Sequence, residues 1–472
     1  MREYITRLSD SVAALLDRMG IIAPERLSAT VGLAWPRVVT GFAIMSKQTV
    51  DLAFVGWAVG SQAVAGLAFA YAFWHLAKFL GLGLVGGTVG LVSQSYGGDE
   101  PGRASILVKQ SVWLAVALAT PVVAVYVLLA GPLVGLLSSD PASTRAGATY
   151  LALVAPALVF EFLNLVCSRT YAGAGDTLSP MVVRAGGALV NVVVSGALVF
   201  GAGLGVTGVA FGTLVSTGLS LLVFSWGITG RSYGLPVLSP SPVPLRARGP
   251  QFDSELAGQL LRVSAPIMAR RVLEGVVAFP LLWIAGTFGP VVVAAFEIGR
   301  RIRAVITSFS WGFSIASSSL VGQALGAGDE AEATAYGSAI IRLSLVVYLV
   351  VGTLVVAVPE PIAHLFVAEP AEVAQAAVFI QVAAVSAVGF GVDGSVTGAL
   401  RGAGDTRWPF AASVVGRYGF ALPAAALGLV TPLGVAGLYL ALVLEVAVPG
   451  LANYWRFRTG RWRAVSRAYR PA

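Results

Sequence analysis

The pentapeptide Gly-Ala-Gly-Asp-Thr occurs twice in the chain, beginning at Gly173 and again at Gly402, a shift of 229 positions. The same shift relates other segments that are far apart. It takes residues 91–97 onto 320–326, and residues 204–208 onto 433–437. One repeated pentapeptide means little alone, but one constant shift at several separated places indicates two copies of one folded unit. The chain is therefore predicted to be a tandem duplication.

The composition is that of a membrane protein with several spans. Of the 472 residues, 57% are hydrophobic and 11% are charged, whereas soluble domains have about 45–50% and about 25%. The 56 glycines let helix backbones approach closely in a bilayer. The formal charge of +8 does not indicate nucleic-acid binding, because the basic residues fall at predicted helix ends.

Apolar segments of about 20 residues predict twelve spans in an all-α polytopic fold, as two six-helix repeats. The predicted spans lie near 32–58, 62–90, 110–136, 147–170, 181–202, 205–228, 258–287, 291–320, 337–358, 374–399, 409–430 and 434–454. The predicted domains are an N-terminal interfacial helix (1–30), two bundles (31–230 and 257–456), a cytoplasmic linker (231–256) and a basic cytoplasmic tail (457–472).

Charge placement predicts the orientation in the cell membrane. The loops assigned to the cytoplasm collect the basic residues, whereas the opposite loops are mainly acidic, which places both termini inside. An even number of spans in each copy makes the repeats parallel, related by an axis along the membrane normal. The basic residues are Arg2, Arg7, Arg18, Arg26, Arg103, Lys109, Arg169, Arg231, Arg246, Arg248, Arg401, Arg407 and the tail arginines from Arg456 to Arg470.

The N-terminal segment is predicted to lie at the membrane surface. An apolar stripe at helical spacing, with arginines outside it, is typical of an interfacial helix and not of a removable signal peptide. The stripe consists of Leu8, Val12, Leu15, Leu16 and Met19.

The two Gly-Ala-Gly-Asp-Thr segments are interpreted as loops and not as binding sites. Their glycines permit a tight turn, Asp or Thr can cap the next helix, and Pro180 or Pro409 follows near the start of that helix.

Residue types needed for catalysis or metal binding are scarce. The chain has one cysteine, Cys167, and two histidines, His75 and His364, without partners at ligand spacing. Without a nucleophile and base pair or a metal cluster, a membrane-embedded enzyme is disfavoured. We expect no metal centre and no cofactor.

Charged residues inside predicted spans are the functional candidates, because each costs about 2.5–3.5 kcal/mol at mid-bilayer. Asp51 is the main one in the first copy, with Lys47 one turn earlier as a possible ion-pair partner. In the second copy Glu274 has Arg270 one turn earlier, and Glu297 has arginines three and four residues later. The carboxylates whose role the sequence leaves open are Glu161, Asp393 and Glu445.

A buried carboxylate can load and release an ion when its surroundings alternate between wet and dry, or between paired and unpaired. Asp51 and Glu274 are the predicted carriers of a proton or of Na⁺. Asn191 is expected to hydrogen-bond Asp51 or a substrate, or to join helices as packing.

Several segments in both copies resemble the multidrug and toxic compound extrusion (MATE) transporters. They are Trp35-Pro36, residues 50–56, 63–67 and 91–97, and the two Gly-Ala-Gly-Asp-Thr loops. The resemblance implies twelve helices in two bundles around a central cleft. It also implies antiport by alternating access, in which a monomer exports small, often cationic, organic compounds in exchange for H⁺ or Na⁺.

The resemblance carries over residue by residue only in part. Asp51 matches a first-helix carboxylate, and Asn191 matches a fifth-helix asparagine of the archaeal and DinF-like branch. That branch has an acid one turn after the asparagine, and this chain has Ser195 there. Glu274 resembles a seventh-helix glutamate of the NorM-like branch, whose tenth-helix aspartate is expected about one turn before Asp393. The further candidates for the substrate cleft are Lys47, Gln48, Asn191, Ser195, Arg270, Glu297 and Asp393.

A flippase for lipid-linked oligosaccharides is the alternative. It would use several arginines to bind pyrophosphate, and Arg37, Arg270, Arg271 and Arg417 are available. Twelve rather than fourteen predicted spans favours the exporter.

Overall fold

The computed structural model describes residues 11–137, 140–245, 249–367 and 369–469. Helices make up 84% of the structure, and no strand occurs within these ranges, which confirms the all-helical prediction. Some residues used in the sequence predictions lie outside the described ranges, namely Arg2, Arg7, Leu8, Arg246, Arg248 and Arg470.

The helices of the first copy follow one another with short connections. They are α1 (described over 11–18), α2 (Pro24–Ala58), α3 (Ser61–Gly97), α4 (Pro101–Leu128), α5 (Ala130–Gly135), α6 (Pro141–Val154), α7 (Ala157–Gly173), α8 (Leu178–Gly196, continued by a π-helical turn, Ala197–Gly201) and α9 (Gly205–Ile228).

The second copy has the same order of long and short helices. They are α10 (Ser254–Val276), α11 (Ala278–Thr287), α12 (Pro290–Gly326), α13 (Glu330–Ala357), α14 (Pro359–Ala363), α15 (Pro370–Gly402), α16 (Arg407–Val414, continued by a π-helical segment, Val415–Ala421), α17 (Leu422–Val430), α18 (Ala436–Arg458) and α19 (Arg461–Arg467).

Helix boundaries recur with the shift of 229 positions. Both ends of α3 map onto the ends of α12, and both ends of α4 map onto those of α13. The turn before α3 contains Gly60 with φ of 110°, and the turn before α12 contains Gly289 with φ of 101°. Glycine adopts this left-handed backbone without a steric penalty. The duplicated sequence therefore builds the same local structure in both copies.

The fourth predicted span is bent in the first copy and continuous in the second. α6 and α7 meet at 52°, and Pro156 lies in the break between them. Proline lacks the N–H needed for the helical hydrogen bond and its ring clashes with the preceding turn. Val385 stands at the equivalent position of α15, which runs unbroken from Pro370 to Gly402.

Ten helices in the described residues are long and apolar enough to cross a membrane, and the bent α6–α7 pair makes an eleventh. The predicted span at 258–287 corresponds to α10 and α11, and neither meets these criteria. α10 is too highly charged, and α11 has only 10 residues, with Pro280 near its start. The charged residues of α10 include Arg262, Arg270, Arg271 and Glu274. The count of twelve spans and their parallel arrangement stay predictions.

The repeated loops have the turn geometry expected from their glycines. Gly175 has φ of 93° and Gly404 has φ of 79°. In the first loop, the Asp176 carboxylate accepts hydrogen bonds from the backbone N–H of Ser179 at 2.9 Å and from its hydroxyl at 2.6 Å. In the second loop, Asp405 instead forms an ion pair of 2.8 Å with Arg456.

The chain groups into two compact units that divide inside helices. One unit is Pro36–Met268, called the 36–268 unit. The other combines the residues up to Trp35 with those from Ala269 onward, called the 269–472 unit. The division in α2 falls at Pro36, and the division in α10 falls two residues after Pro266. The domain boundaries drawn from the sequence stay predictions, because they rest on membrane topology and not on packing.

Each unit has its own helix packing. In the 36–268 unit α3 packs against α4, α6 and α7, and α8 packs against α9. In the 269–472 unit α15 packs against α12, α13 and α18. The N-terminal residues Ile21 and Leu33 belong to a buried cluster with Ile306 and Phe313.

Candidate functional site

Asp51 lies on α2 and is fully buried. Tyr71 on α3 donates a hydrogen bond of 3.4 Å to its Oδ2 atom. The Tyr71 ring stacks edge-on against Tyr150 of α6, with 5.5 Å between centroids. The apolar helices around this site keep the carboxylate away from water, so the residues in contact with it determine whether a negative charge is tolerated.

The Asp51 carboxylate is incompletely hydrogen-bonded. Its Oδ1 atom has no hydrogen-bond partner among the described residues, and the same is true of Asn191 Oδ1. The Ser195 hydroxyl meets no partner at full hydrogen-bond geometry but is near enough to interact with the Asp51 carboxylate. Asn191 and Ser195 both lie buried on α8, where the Asn191 amide donates to Thr213 Oγ1 of α9 at 3.2 Å. Buried polar atoms are normally satisfied, so Asp51 has the capacity to take up a proton or a cation.

A second polar cluster of the 36–268 unit surrounds Glu161 on α7. Arg184 of α8 contacts both carboxylate oxygens at 2.7 Å, and Lys78 of α3 forms an ion pair of 3.0 Å with the Oε1 atom. The exposed fraction of the Glu161 side chain is only 4%. The pairing resolves the open role of Glu161, because its charge is balanced inside the protein by two cations.

This cluster lines a small cavity of about 50 Å³, part of which is open to the exterior. Lys47 and Gln48 of α2 also line it, together with the indole of Trp74. The Gln48 amide nitrogen lies 3.2 Å from Nε2 of His75. The cavity therefore brings together two predicted cleft residues, Lys47 and Gln48, with the Glu161 ion pairs.

The ion pair between Lys47 and Asp51 suggested by their spacing is absent. No carboxylate oxygen of the described residues lies within 4.0 Å of the Lys47 ammonium group. Lys47 is half-buried and its charge is without a direct counter-ion.

The acids of the 269–472 unit contrast with Asp51. Arg270 bridges Glu274 and Asp393, at 2.9 Å and 2.6 Å. Arg271 and Arg417 also contact Glu274, at 2.9 Å and 3.4 Å. These guanidinium groups occupy the carboxylate oxygens that a small cation would need, so Glu274 is part of an ion-pair network.

The same network extends to Asp393 and Glu445. The amide of Asn453 donates to Asp393 Oδ1 at 2.7 Å, and Arg303 lies 3.4 Å from Glu445 Oε2. Asp393 therefore has a partner on each oxygen. By contrast Glu297 has one ion-pair partner among the described residues, Arg300 at 2.9 Å, and 49% of its side chain is exposed, so its charge is largely solvated.

Sequence reasoning missed Lys78, Arg184 and Arg303 as members of these clusters. Lys78 and Arg184 are each a charged residue within a largely apolar segment, which is the signal that identified Asp51, whereas Arg303 follows other charged residues of α12. Tyr71 and Tyr150 were also missed, because tyrosines are common in membrane helices. The hydrogen bond of Tyr71 to Asp51 and its stacking on Tyr150 depend on packing between helices.

The geometry can be compared with known proteins. The family model described as MatE matches residues 36–196 and 266–427, one stretch in each copy. The chain belongs to the MatE family. This MatE chain is a multi-pass membrane transporter.

One relative of this MatE transporter is the probable multidrug resistance protein NorM of Rhodopseudomonas palustris. It is 28% identical over 461 residues, covering 93% of this chain and 94% of the relative.

Two solved structures show the same fold as this MatE transporter. The Vibrio cholerae MATE transporter VcmN in the bent form has a TM-score of 0.83 at 19% identity, covering 95% of this chain and 99% of that one. A MOP superfamily transporter from Pyrococcus furiosus has a TM-score of 0.82 at 19% identity, covering 93% and 96%. That second protein is described as having a binding pocket of reverse polarity that suggests a different function.

Proposed function

We propose that this MatE transporter exports small organic compounds across the cell membrane in exchange for H⁺ or Na⁺, by alternating access. Membership of the family and the multidrug resistance protein among its relatives support export. We further propose a monomer with twelve spans around a central cleft and both termini in the cytoplasm, as the charge distribution predicts.

Asp51 is the residue that we propose carries the coupling ion. The supporting observation is its fully buried carboxylate with an unpartnered Oδ1 atom. An unpaired buried charge is costly, and uptake of a proton or Na⁺ removes that cost. Glu274, the other predicted carrier, contacts three arginines, so its charge is already neutralised.

Alternating access then follows from two states that differ in the hydration of Asp51. When the site is open to water, the carboxylate is solvated and releases its ion. When the site closes, the charge is stabilised only with the ion bound. A membrane potential of 100 mV supplies about 2.3 kcal/mol per charge moved, which is enough to bias such a pair of states.

The test is dye transport by purified protein in proteoliposomes. An imposed pH gradient and an imposed Na⁺ gradient are applied separately to liposomes loaded with rhodamine 6G, a cation, or with carboxyfluorescein, an anion. We expect one gradient to drive movement of at least one dye. Movement of neither dye under either gradient, by protein shown to be folded, would contradict ion-coupled export.

The variant Asp51→Asn tests whether Asp51 carries the coupling ion. The amide keeps the shape of the side chain but cannot ionise, so gradient-driven movement should be abolished while the protein still inserts. Glu297→Gln is the matched control, because it makes the same chemical change at a half-exposed carboxylate. Unchanged coupling in Asp51→Asn would remove Asp51 from the mechanism.

The comparisons do not support the flippase alternative. Three of the four arginines considered for pyrophosphate, Arg270, Arg271 and Arg417, contact Glu274. We propose no second function.

A further inference from the structure

We infer that the cavity beside Lys47, Lys78 and Arg184 binds the anionic group of an organic molecule, and that the exporter carries organic anions. This inference names the substrate class and rests on the proposed function. The shared ligand chemistry is an oxyanion, such as a carboxylate or a phosphate, attached to an organic body.

The cavity is built by helices of one compact unit. α2, α3, α7, α8 and α9 all contribute side chains to it. Its volume of about 50 Å³ has room for an oxyanion or a few water molecules but not for a whole organic molecule, so the organic body of a ligand would lie toward the open side of the cavity. Ile44, Trp74 and Ala188 give it an apolar wall, which suits the organic part of a ligand more than an inorganic ion.

The charges that line the cavity do not balance. Lys47, Lys78 and Arg184 are cationic, whereas Glu161 is the one carboxylate among the residues that line it. Arg184 contacts both oxygens of Glu161 and Lys78 contacts one of them, so one negative charge faces three positive charges. The cavity therefore has an excess of positive charge, which repels a cationic substrate and attracts an anionic one.

Lys47 is the residue that most directly indicates an anion. It lines the cavity and has no ion-pair partner among the described residues. Asp51 and Glu161 attract this half-buried ammonium group only from beyond 4.0 Å, so it lacks a direct counter-ion in an apolar bundle, where an unpaired charge is costly. A bound oxyanion supplies that counter-ion, and Lys78 lies on the same cavity wall to share it.

The alternative role for Lys47 is to act on Asp51, which lies one turn later on α2. The two side chains do not form an ion pair within 4.0 Å, and Asp51 instead contacts Tyr71. This alternative predicts that loss of the Lys47 charge alters ion coupling but leaves the affinity for an anion unchanged. The two roles therefore differ in a binding measurement made without any gradient.

The experiment measures equilibrium binding of two xanthene dyes to the full-length protein in nanodiscs by fluorescence anisotropy. We expect carboxyfluorescein to bind more tightly than rhodamine 6G. Lys47→Gln should weaken carboxyfluorescein binding about tenfold, as expected for loss of one charge-assisted contact. Lys47→Arg, which keeps the charge, should restore most of the affinity.

Arg145→Gln is the matched control, because it removes one positive charge from an exposed position of α6 in the same unit. Its affinity should stay within about twofold of wild type, since exposed distant charges are screened at 0.1 M salt. Lys47→Gln breaks no ion pair of the described residues, so it should keep the wild-type melting temperature. If Lys47→Gln loses binding because the protein unfolds, Lys47→Arg becomes the deciding variant. A folded Lys47→Arg protein that does not bind carboxyfluorescein would overturn the proposal.

The outcomes of these experiments distinguish failure of the anion site from failure of the proposed export function. Carboxyfluorescein that binds as described but is moved by neither gradient would support the site and contradict the proposed function. A second outcome is that wild type and Lys47→Gln both export rhodamine 6G and that neither binds carboxyfluorescein. That outcome would support the proposed function and overturn the anion proposal. Anion binding that is equal in wild type, Lys47→Gln and Lys78→Gln would also overturn it.

Discussion

Arg184 holds both carboxylate oxygens of Glu161, with Nη1 at 2.7 Å from Oε2 and Nη2 at 2.7 Å from Oε1. This bidentate geometry is the strongest form of the arginine–carboxylate contact. The two residues come from α7 and α8, and Lys78 adds a contact from α3. One buried acid therefore connects three helices of the 36–268 unit.

Removing one member of this pair should destabilise the protein. Arg184→Leu leaves the buried Glu161 with Lys78 as its one remaining ion-pair partner among the described residues, and breaking a buried pair costs about 3–5 kcal/mol. We expect a large fall in the melting temperature of the detergent-purified protein. The double variant Arg184→Leu with Glu161→Leu should recover much of the loss, and equal melting of the single and double variants would show that the pair itself does not matter.

Glu274→Gln should affect stability and not ion coupling. The substitution removes the negative charge that Arg270, Arg271 and Arg417 share. Arg270 keeps its ion pair with Asp393 and Arg417 keeps its longer contact with Glu445, whereas Arg271 loses its ion pair. We expect a lower melting temperature but the same choice of driving ion in proteoliposomes. A folded Glu274→Gln protein that has lost its gradient response would move the carrier role from Asp51 to Glu274.

Asp140 gives a prediction about pH. The hydroxyl of Ser143 donates to Asp140 Oδ2 at 2.6 Å and its backbone N–H donates at 2.9 Å, and these bonds lower the pKa of Asp140 below its ordinary value. A lowered pKa in the folded state means that the ionised carboxylate stabilises the fold above about pH 4. That contribution is lost as the pH falls through the lowered value.

Asp140→Ala should therefore melt below wild type at pH 7, and the difference should shrink below about pH 4. The measurement is the melting temperature of both proteins across that range. Asp140→Asn is the control, because asparagine caps helices without ionising, so the difference in melting temperature between Asp140→Asn and Asp140→Ala should not change through this pH range. A difference that is independent of pH would show that the Asp140 charge is not involved.

The fold was predictable where the signal is local. Apolar segments and the repeated loops predicted most helices, and the glycines of those loops adopt the left-handed backbone that a tight turn needs. The bend at Pro156 is also a local effect of the proline ring. The span at 258–287 was harder to predict from the sequence, because the charges of α10 and the proline of α11 interrupt its apolar pattern.

Pairing of charges was predictable only in part from spacing. Arg270 and Glu274 lie four residues apart and form the expected ion pair of 2.9 Å. Lys47 and Asp51 have the same spacing and do not. Spacing places two side chains on one helix face, but contacts from neighbouring helices decide where each side chain points. The Tyr71 contact to Asp51 is such a case.

The Glu161 cluster could not be assembled from the sequence. Lys78, Glu161 and Arg184 lie on α3, α7 and α8, and their meeting depends on how those helices pack. The duplication does not help to predict buried charges, because equivalent positions of the two copies differ in charge. The residue equivalent to Asp51 is Pro280, and the residue equivalent to Asp393 is Asn164. The two copies have kept their helix boundaries while their buried charges have diverged.

The division of α2 at Pro36 has a consequence for biosynthesis. Residues Ile21 and Leu33 pack with Ile306 and Phe313, and Arg26 pairs with Glu332 at 2.7 Å. These partners leave the ribosome long after the N-terminus, whereas domains generally fold as they are synthesised. The 36–268 unit is complete once α10 has emerged as far as Met268. Ile21, Arg26 and Leu33 are therefore synthesised early but cannot reach their packing partners until the second copy has been synthesised.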